Sequence, residues 1–263
     1  MNDFPAPGRR SEIVAELRAS GSVFAEDEAD LLLAATTSDS ELASLVDRRV
    51  AGVPLEVIVG WAEFHGLRVA MDAGVFVPRR RTEFLVDTGI AHAHAGAVVV
   101  DLCCGSGALG LAMTVAVPGI QLAAADIDPV AAALARRNLA GVGDVYEGDL
   151  FDPLPRRLAG FVDLLLVNAP YVPTAEIARM PPEARIHEPI VALDGGWDGL
   201  DVHRRVATQA AGWLTPGGAL LIEVSDSQAP EVVSMFRRGG LEPTVEYSED
   251  YDATVVVGMK PKG

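Results

Sequence analysis

Cysteine, lysine and long apolar runs are scarce in this chain, and each shortage excludes a class of protein. Of 263 residues two are cysteines, the neighbours Cys103 and Cys104. Adjacent cysteines cannot form an ordinary structural disulfide and leave nothing for a thiolate metal site, so no metal is expected and a reducing compartment fits. Lysine occurs only at Lys260 and Lys262, which removes P-loop and Schiff-base chemistry from the body of the chain. No apolar run approaches the ~20 residues a membrane helix needs. The N-terminal MNDFPAPGRR leads into an acidic segment, not a signal-peptide core, so a cytoplasmic location without a membrane partner is expected. Positive charge is short as well: 21 basic against 37 acidic residues give a formal net charge of −16. Such a chain repels phosphate backbones, and nucleic acid is not an expected direct partner.

What remains is ample for a folded enzyme-sized protein, with 49% hydrophobic and 22% charged residues. Through residues 1–60, the stretches SEIVAELRAS, AEDEADLLLAA and DSELASLVDRRVAG carry apolar positions three and four apart, a helical pattern. Eleven acidic residues against five arginines make this segment acidic. Between Leu55 and Pro78, VIVGWAEFHGLRVAMDAGVFVP reads as short β-like runs punctuated by glycines at 60, 66 and 74. From residue 97, apolar strands alternate with amphipathic helices, which implies a mostly parallel sheet covered on both faces. LEPTVEYSE and DATVVVGMK close the chain as an expected antiparallel hairpin on one sheet edge. Residues 1–54 are therefore read as a helical substrate-recognition domain, 55–80 as a β-hairpin linker, and 81–263 as a Rossmann-like α/β domain.

Strand 97–102 runs straight into Cys103-Cys104-Gly105-Ser106-Gly107 and then a helix. Glycines in such a turn let backbone approach a ligand, and the helix N-terminus supplies free amides. The next strand ends in Asp126, placed to accept both hydroxyls of a ribose. Asp128, just before Pro129, suits a helix cap. Glycines at 105, 107 and 110 also satisfy G-x-G-x-x-G, so a nicotinamide-dependent oxidoreductase stays open beside a mononucleoside-type cofactor.

Farther on, FVDLLLVNAPYVP sets Asn168, Ala169, Pro170 and Tyr171 at the end of the fourth strand of this domain, on the same sheet edge. An amide oxygen and a backbone carbonyl there can accept two N–H bonds, and Tyr171 can stack on a planar group. That arrangement suits a nitrogen acceptor whose lone pair faces a methyl donor.

The chain resembles the class I S-adenosylmethionine-dependent methyltransferases, and among them the peptide-release-factor glutamine methyltransferase family. The resemblance rests on residues 54–87, VVVDLCCGSGALGLA (98–112), AADIDPVAAALARRNL (124–139), GDLFDPLP (148–155), NAPYVP (168–173) and HEPIVALDGGWDGLDVHRRV (187–206). It implies S-adenosylmethionine as cofactor, S-adenosylhomocysteine as product, and a protein acceptor such as a translation release factor. Carried over by position, residues 103–107 would cradle the methionine and sugar portions, Asp126 the ribose, and Asp149 with Leu150 the adenine. Asp101 would lie near the cofactor's amino group or cap the turn. Asn168 would touch both cofactor and acceptor, with Ala169, Pro170, Tyr171 and Glu188 around the acceptor and Asn168, Pro170 and Tyr171 acting in catalysis. Phe76 and Glu83 are placed to reach the same site.

Three departures stand out. Cys103 replaces the first loop glycine, a change expected to need a negative φ; Ala169 replaces the first proline of Asn-Pro-Pro-Tyr; and Arg80-Arg81 stand where the family usually has Pro-Glu. Ala169 regains an N–H and loosens the turn. The departures keep open an N-methyltransferase acting on a small metabolite or a nucleobase amine, or a binding module that transfers nothing. Among the histidines, His92 and His94 read as a solvated face, and His187 and His203, which flank the last motif, as surface residues in preference to acid–base catalysts.

Overall fold

The computed structural model describes residues 8–262; residues 1–7 of the expected helical unit, and residue 263, lie outside the described residues. Three helices open the chain, α1 (Arg9–Ala19), α2 (Ala25–Ala35) and α3 (Asp39–Val50), followed by a short α4 (Leu55–Val59). Their apolar stripes converge on one small core in which Ile13, Leu17, Ala29, Leu32, Leu42 and Val46 are buried. Ser38 caps α3 by accepting from the Glu41 amide. Residues 57–59, expected as strand, are instead the end of α4. Ile58 packs into the helical core, and Gly60, at φ +82°, closes the turn as only an unencumbered residue does readily.

The expected hairpin follows as β1 (Trp61–Phe64) and β2 (Leu67–Ala70), antiparallel around His65-Gly66. After α5 (Glu83–His92), the alternating pattern becomes β3 (Val98–Leu102), α6 (Ala108–Ala116), β4 (Gln121–Asp126), α7 (Pro129–Asn138), β5 (Gly143–Glu147) and β6 (Val162–Val167). The chain continues through α8 (Pro182–His187), α9 (Asp201–Trp213), β7 (Leu214–Val224), α10 (Ala229–Arg238), β8 (Glu242–Ser248) and β9 (Ala253–Met259). The seven-stranded sheet has the order β5-β4-β3-β6-β7-β9-β8, parallel except for β9, which is antiparallel to β7 and β8. The terminal hairpin thus lies on one edge, as its alternating pattern implied.

Two cores sandwich this sheet. Leu85, Val86, Leu109, Met113 and Leu139 cover one face, while Val206, Trp213, Val232 and Phe236 cover the other. Successive strands spread outward from β3 to β5, and β6 then returns to the other side of β3. The carboxyl ends of β3 and β6 therefore meet at the point where strand order reverses, the place where α/β sheets bind ligands. In register, Leu102 pairs with Ala125 on one side and Val167 on the other, so the glycine loop, Asp126 and Asn168 share one edge.

Two glycines of the G-x-G-x-x-G pattern serve packing. Gly107, at φ +79°, starts α6, and a Cβ there would meet Leu139 at 3.1 Å; one at Gly110 would meet Leu122 at 2.9 Å. Both positions let α6 lie against α7 and the sheet.

Candidate active site

A cavity of about 1040 Å³ opens at the reversal point. The residues that line it include Cys103, Cys104, Gly105, Ser106, Asp126, Asp149, Leu150, Asn168, Ala169, Pro170 and Tyr171, so most positions singled out in the sequence are brought together. Asp101, Gly107 and Glu188 are not among them, for a different reason in each case.

The glycine loop is shaped by its neighbours. The Gly105 amide donates to Asp126 Oδ2 at 2.8 Å and the Cys104 amide to the Ala125 carbonyl at 3.1 Å. Asp126 Oδ1 accepts from the Asp128 amide at 2.9 Å, and Asp128 in turn caps α7 by accepting from Val130 at 2.9 Å, the role its sequence position indicated. Cys103 corrects an expectation: its φ is +56°, the left-handed region, so this side chain occupies a conformation that suits the glycine it replaces. A non-glycine residue there carries about 1–2 kcal/mol of strain. Burial, and secondarily the carboxylates Asp126 and Asp101, push both thiols up, so neither is a ready nucleophile.

Behind the loop, Asp101 is fully buried. Its Oδ2 accepts from the Gly110 amide at 3.0 Å, while Oδ1 has no partner among the described residues. Burial raises its carboxyl to about 7 against the opposing bond from Gly110, with the Asp126 charge adding to the rise. Asp126 is raised in the same way, burial first.

At the end of β6 the Asn168 amide nitrogen donates to Thr82 Oγ1 at 3.3 Å, and its oxygen accepts no bond among the described residues; the residue lines the cavity. Tyr171 Oη lies 3.5 Å from the buried Glu223 of β7. Burial lifts both groups, with the Glu223 charge raising Tyr171 further and the Arg81 guanidinium opposing both rises. Sequence reading missed Thr82 and Glu223, which look like ordinary helix-start and strand residues. Tyr251, on the β8–β9 turn, also lines the cavity and stacks on Phe84 with ring centroids 6.3 Å apart. Asp149 pairs with Arg205 at 2.6 Å, and Leu150 takes φ +49°. Asn138, at the end of α7, is a further unflagged tie: it bonds Ala70 on both backbone atoms, at 3.1 and 3.0 Å, and the Ser106 carbonyl at 2.9 Å, locking hairpin to loop.

Glu188, expected beside the acceptor, instead supports Arg79, which lines the cavity. It accepts from the Val77 amide at 3.3 Å and from Arg79 at 2.6 Å, and is buried. Of the two residues expected to reach in from the linker, Phe76 lines the cavity; Glu83 instead accepts from the His65 amide at 3.0 Å. His203 is also misplaced by the surface reading: it is fully buried in α9, and neither ring nitrogen completes a well-aligned bond among the described residues. Burial lowers its pKa to about 4, only partly offset by the Glu223 backbone. The unfolded chain, with histidine near ~6.5, binds that proton more readily, so this group's contribution to stability is complete above pH ~6.5 and drains away toward pH 4. A loss on the order of 2–3 kcal/mol is expected across that window. Denaturant midpoints at pH 7 and 4.5 check it: His203→Leu should narrow the gap between them, and an unchanged gap would acquit His203.

Comparison with known proteins agrees with this geometry. The Methyltransferase small domain family matches residues 66–188. Release factor glutamine methyltransferase of Gloeobacter violaceus is 37% identical over 259 residues, covering 89% of this chain and 89% of its own length. That of Geobacter sulfurreducens is 40% identical, covering 74% of this chain and 69% of its own length. The chain belongs to the release factor glutamine methyltransferase family. Membership removes the nicotinamide alternative, in accord with Gly107 and Gly110 serving helix packing. A methyltransferase of Streptomyces pristinaespiralis named for 4-amino-L-phenylalanine and 4-methylamino-L-phenylalanine is also 37% identical, over 74% of this chain and 69% of its own length. Among solved structures, a methyltransferase from Pyrococcus furiosus has TM-score 0.57 at 15% identity, covering 74% of this chain and 90% of that one, a likeness of fold. Among the described residues no helix is long and apolar enough to cross a membrane.

Proposed function

We propose that this methyltransferase moves a methyl group from S-adenosylmethionine to a side-chain amide nitrogen of glutamine in a protein acceptor, a translation release factor, in the cytoplasm. The observation that carries the reading is the Asn168–Thr82 bond, which occupies the Asn168 nitrogen and leaves its oxygen as an acceptor, in a residue that lines the same cavity as the glycine loop. The residues fit the cofactor: Asp101 keeps a buried, unpartnered carboxylate oxygen suited to an ammonium, and Asp126, on the cavity lining, has oxygens that would accept ribose hydroxyls. When bound, that cofactor supplies an electrophilic methyl on a sulfonium.

The protein's part is orientation. An amide nitrogen is a poor nucleophile because its lone pair is delocalised, so the chain must hold it. Asn168 Oδ1 and a nearby backbone carbonyl accept its N–H bonds and aim the lone pair, and Tyr171 holds the planar group. With that cofactor bound, these groups would hold the nitrogen in line with its methyl–sulfur bond, and the proton the nitrogen must shed would leave to water. Positioning of this kind supplies up to ~10 kcal/mol in favourable cases. Supporting a macromolecular acceptor, Ile186 on α8 and Ile190, Val191 and Trp197 after it expose apolar surface beside the cavity that residues 189–194 line. The helical unit α1–α4 would add recognition without touching the cofactor.

Radiolabelled S-adenosylmethionine, offered with release factors of the same source and followed by mapping of the label, tests this: label on a glutamine amide is expected, and label elsewhere or none overturns it. A small amine-bearing acceptor is a second reading, favoured by Ala169 and by the Streptomyces pristinaespiralis relative.

Asp101 gives an independent check of cofactor fit. Its carboxyl, at about 7 in the free protein, must lose its proton to face an ammonium. Affinity for S-adenosylhomocysteine should therefore fall as pH drops below 7, by up to about tenfold per unit. Asp101→Asn should bind weakly with a flatter profile in calorimetry between pH 5.5 and 7.5; an unchanged slope would place Asp101 away from the ligand.

A further inference from the structure

Three consecutive arginines, Arg79, Arg80 and Arg81, line the cavity of a chain whose net charge is −16. Arg79 is committed: it bonds Glu188 at 2.6 Å, and its guanidinium lies 4.9 Å from the Phe76 ring centroid. The other two are not. Among the described residues neither Arg80 nor Arg81 has a carboxylate within ion-pair distance.

We propose that Arg81, with Arg80 beside it, is a carboxylate-recognition site for the acceptor, so that the nitrogen to be methylated sits next to a carboxylate in the same molecule. The proposal rests on the methyl-transfer reading above. Arg81 is within hydrogen-bonding reach of Tyr171, and its charge acts on both Tyr171 and Glu223. Its backbone directly precedes Thr82, the partner of Asn168, so the cation and the methyl-accepting corner are held in one frame. Glu223 is a poor counterion, because it is buried and shifted toward its neutral form. Other acids on the cavity wall are occupied: Asp149 by Arg205, Asp194 by Thr174 and the Gly196 amide, Asp128 by its cap. Asp250 and Asp252 line the cavity beside Tyr251, where the Arg80 charge also acts. A guanidinium fork meets a carboxylate through two parallel bonds, and an acceptor seated over the exposed Arg81 would shield a pair that open water weakens. Arg81 also reverses the sign of the glutamate that the family usually carries there.

The carboxylate has two available sources: the α-carboxylate of a free amino acid, or an acidic side chain flanking the methylated residue of a protein. Protein loaded with S-adenosylhomocysteine is titrated calorimetrically with N-acetylglutamine against its neutral amide, and with a blocked glutamine-glutamate peptide against the glutamine-glutamine one. The same four probes are then assayed for turnover with S-adenosylmethionine. At least one carboxylate probe is expected to exceed its neutral partner by about tenfold. That ratio should collapse in Arg81→Gln, shrink without vanishing in Arg81→Lys, and fall with salt, and the pair that shows it identifies the source. No carboxylate preference in either pair, or a preference that survives Arg81→Gln, overturns the site. Carboxylate-dependent binding without methylation of any probe overturns the glutamine reading and leaves the site standing.

Discussion

Asn168→Ala is expected to lower turnover by on the order of 10²-fold or more at saturating cofactor, while S-adenosylhomocysteine binds within a few-fold of normal. The side chain is anchored by its nitrogen on Thr82 at 3.3 Å, so its oxygen is positioned before the acceptor arrives. Alanine removes that preset acceptor without disturbing the glycine loop or Asp126. Asn168→Asp sharpens the test: it retains an oxygen, loses the N–H that holds the group on Thr82, and adds negative charge near buried Glu223. It should remain impaired. Single-turnover methylation by either variant at the normal rate would make Asn168 a structural strand end and move the acceptor site elsewhere.

Asp126→Ala should weaken S-adenosylhomocysteine binding at least tenfold, since charge-assisted hydrogen bonds contribute ~1.5–3 kcal/mol each. Each oxygen of Asp126 already accepts one backbone amide, from Gly105 at 2.8 Å and Asp128 at 2.9 Å, and retains capacity for a ribose hydroxyl. Alanine thus takes away a ligand contact and a loop anchor together. Asp128→Ala separates them from capping, for it should cost about 1 kcal/mol of stability while leaving affinity nearly intact. Calorimetric affinity of Asp126→Ala equal to that of the unaltered protein would reduce Asp126 to a loop fastener.

The sheet was legible in the sequence because its strands are continuous apolar runs and its helices repeat every three to four residues, as in FVDLLLV against APEVVSMFRR. The corner at β3, β4 and β6 was legible for the same reason: glycines, Asp126 and Asn168 each follow a strand directly. What failed depends on packing that no local pattern encodes. The VIV of α4 satisfies strand and helix alike, and the helical core around Ile58 decides it. His203 reads as polar, yet its helix face turns it inward against β7. Thr82, Glu223 and Tyr251 reach the site from three distant segments, and nothing in their neighbours marks them. Cys103 shows the converse: position, not residue preference, fixes φ, because the two amides that follow it, of Cys104 and Gly105, are held by Ala125 and Asp126.

The buried contacts of Glu188 with Val77 and Arg79 join segments more than a hundred residues apart in the chain. During synthesis, which runs from the N-terminus, those contacts cannot close until Glu188 has emerged, well after β3 to β6 are available to pair. Closing so long a loop carries an entropic cost that is recovered only when both sides have folded. The cavity is therefore a late product of folding, and a nascent chain halted before α8 would have β3 to β6 and the glycine loop but no enclosed place for a ligand to stabilise it.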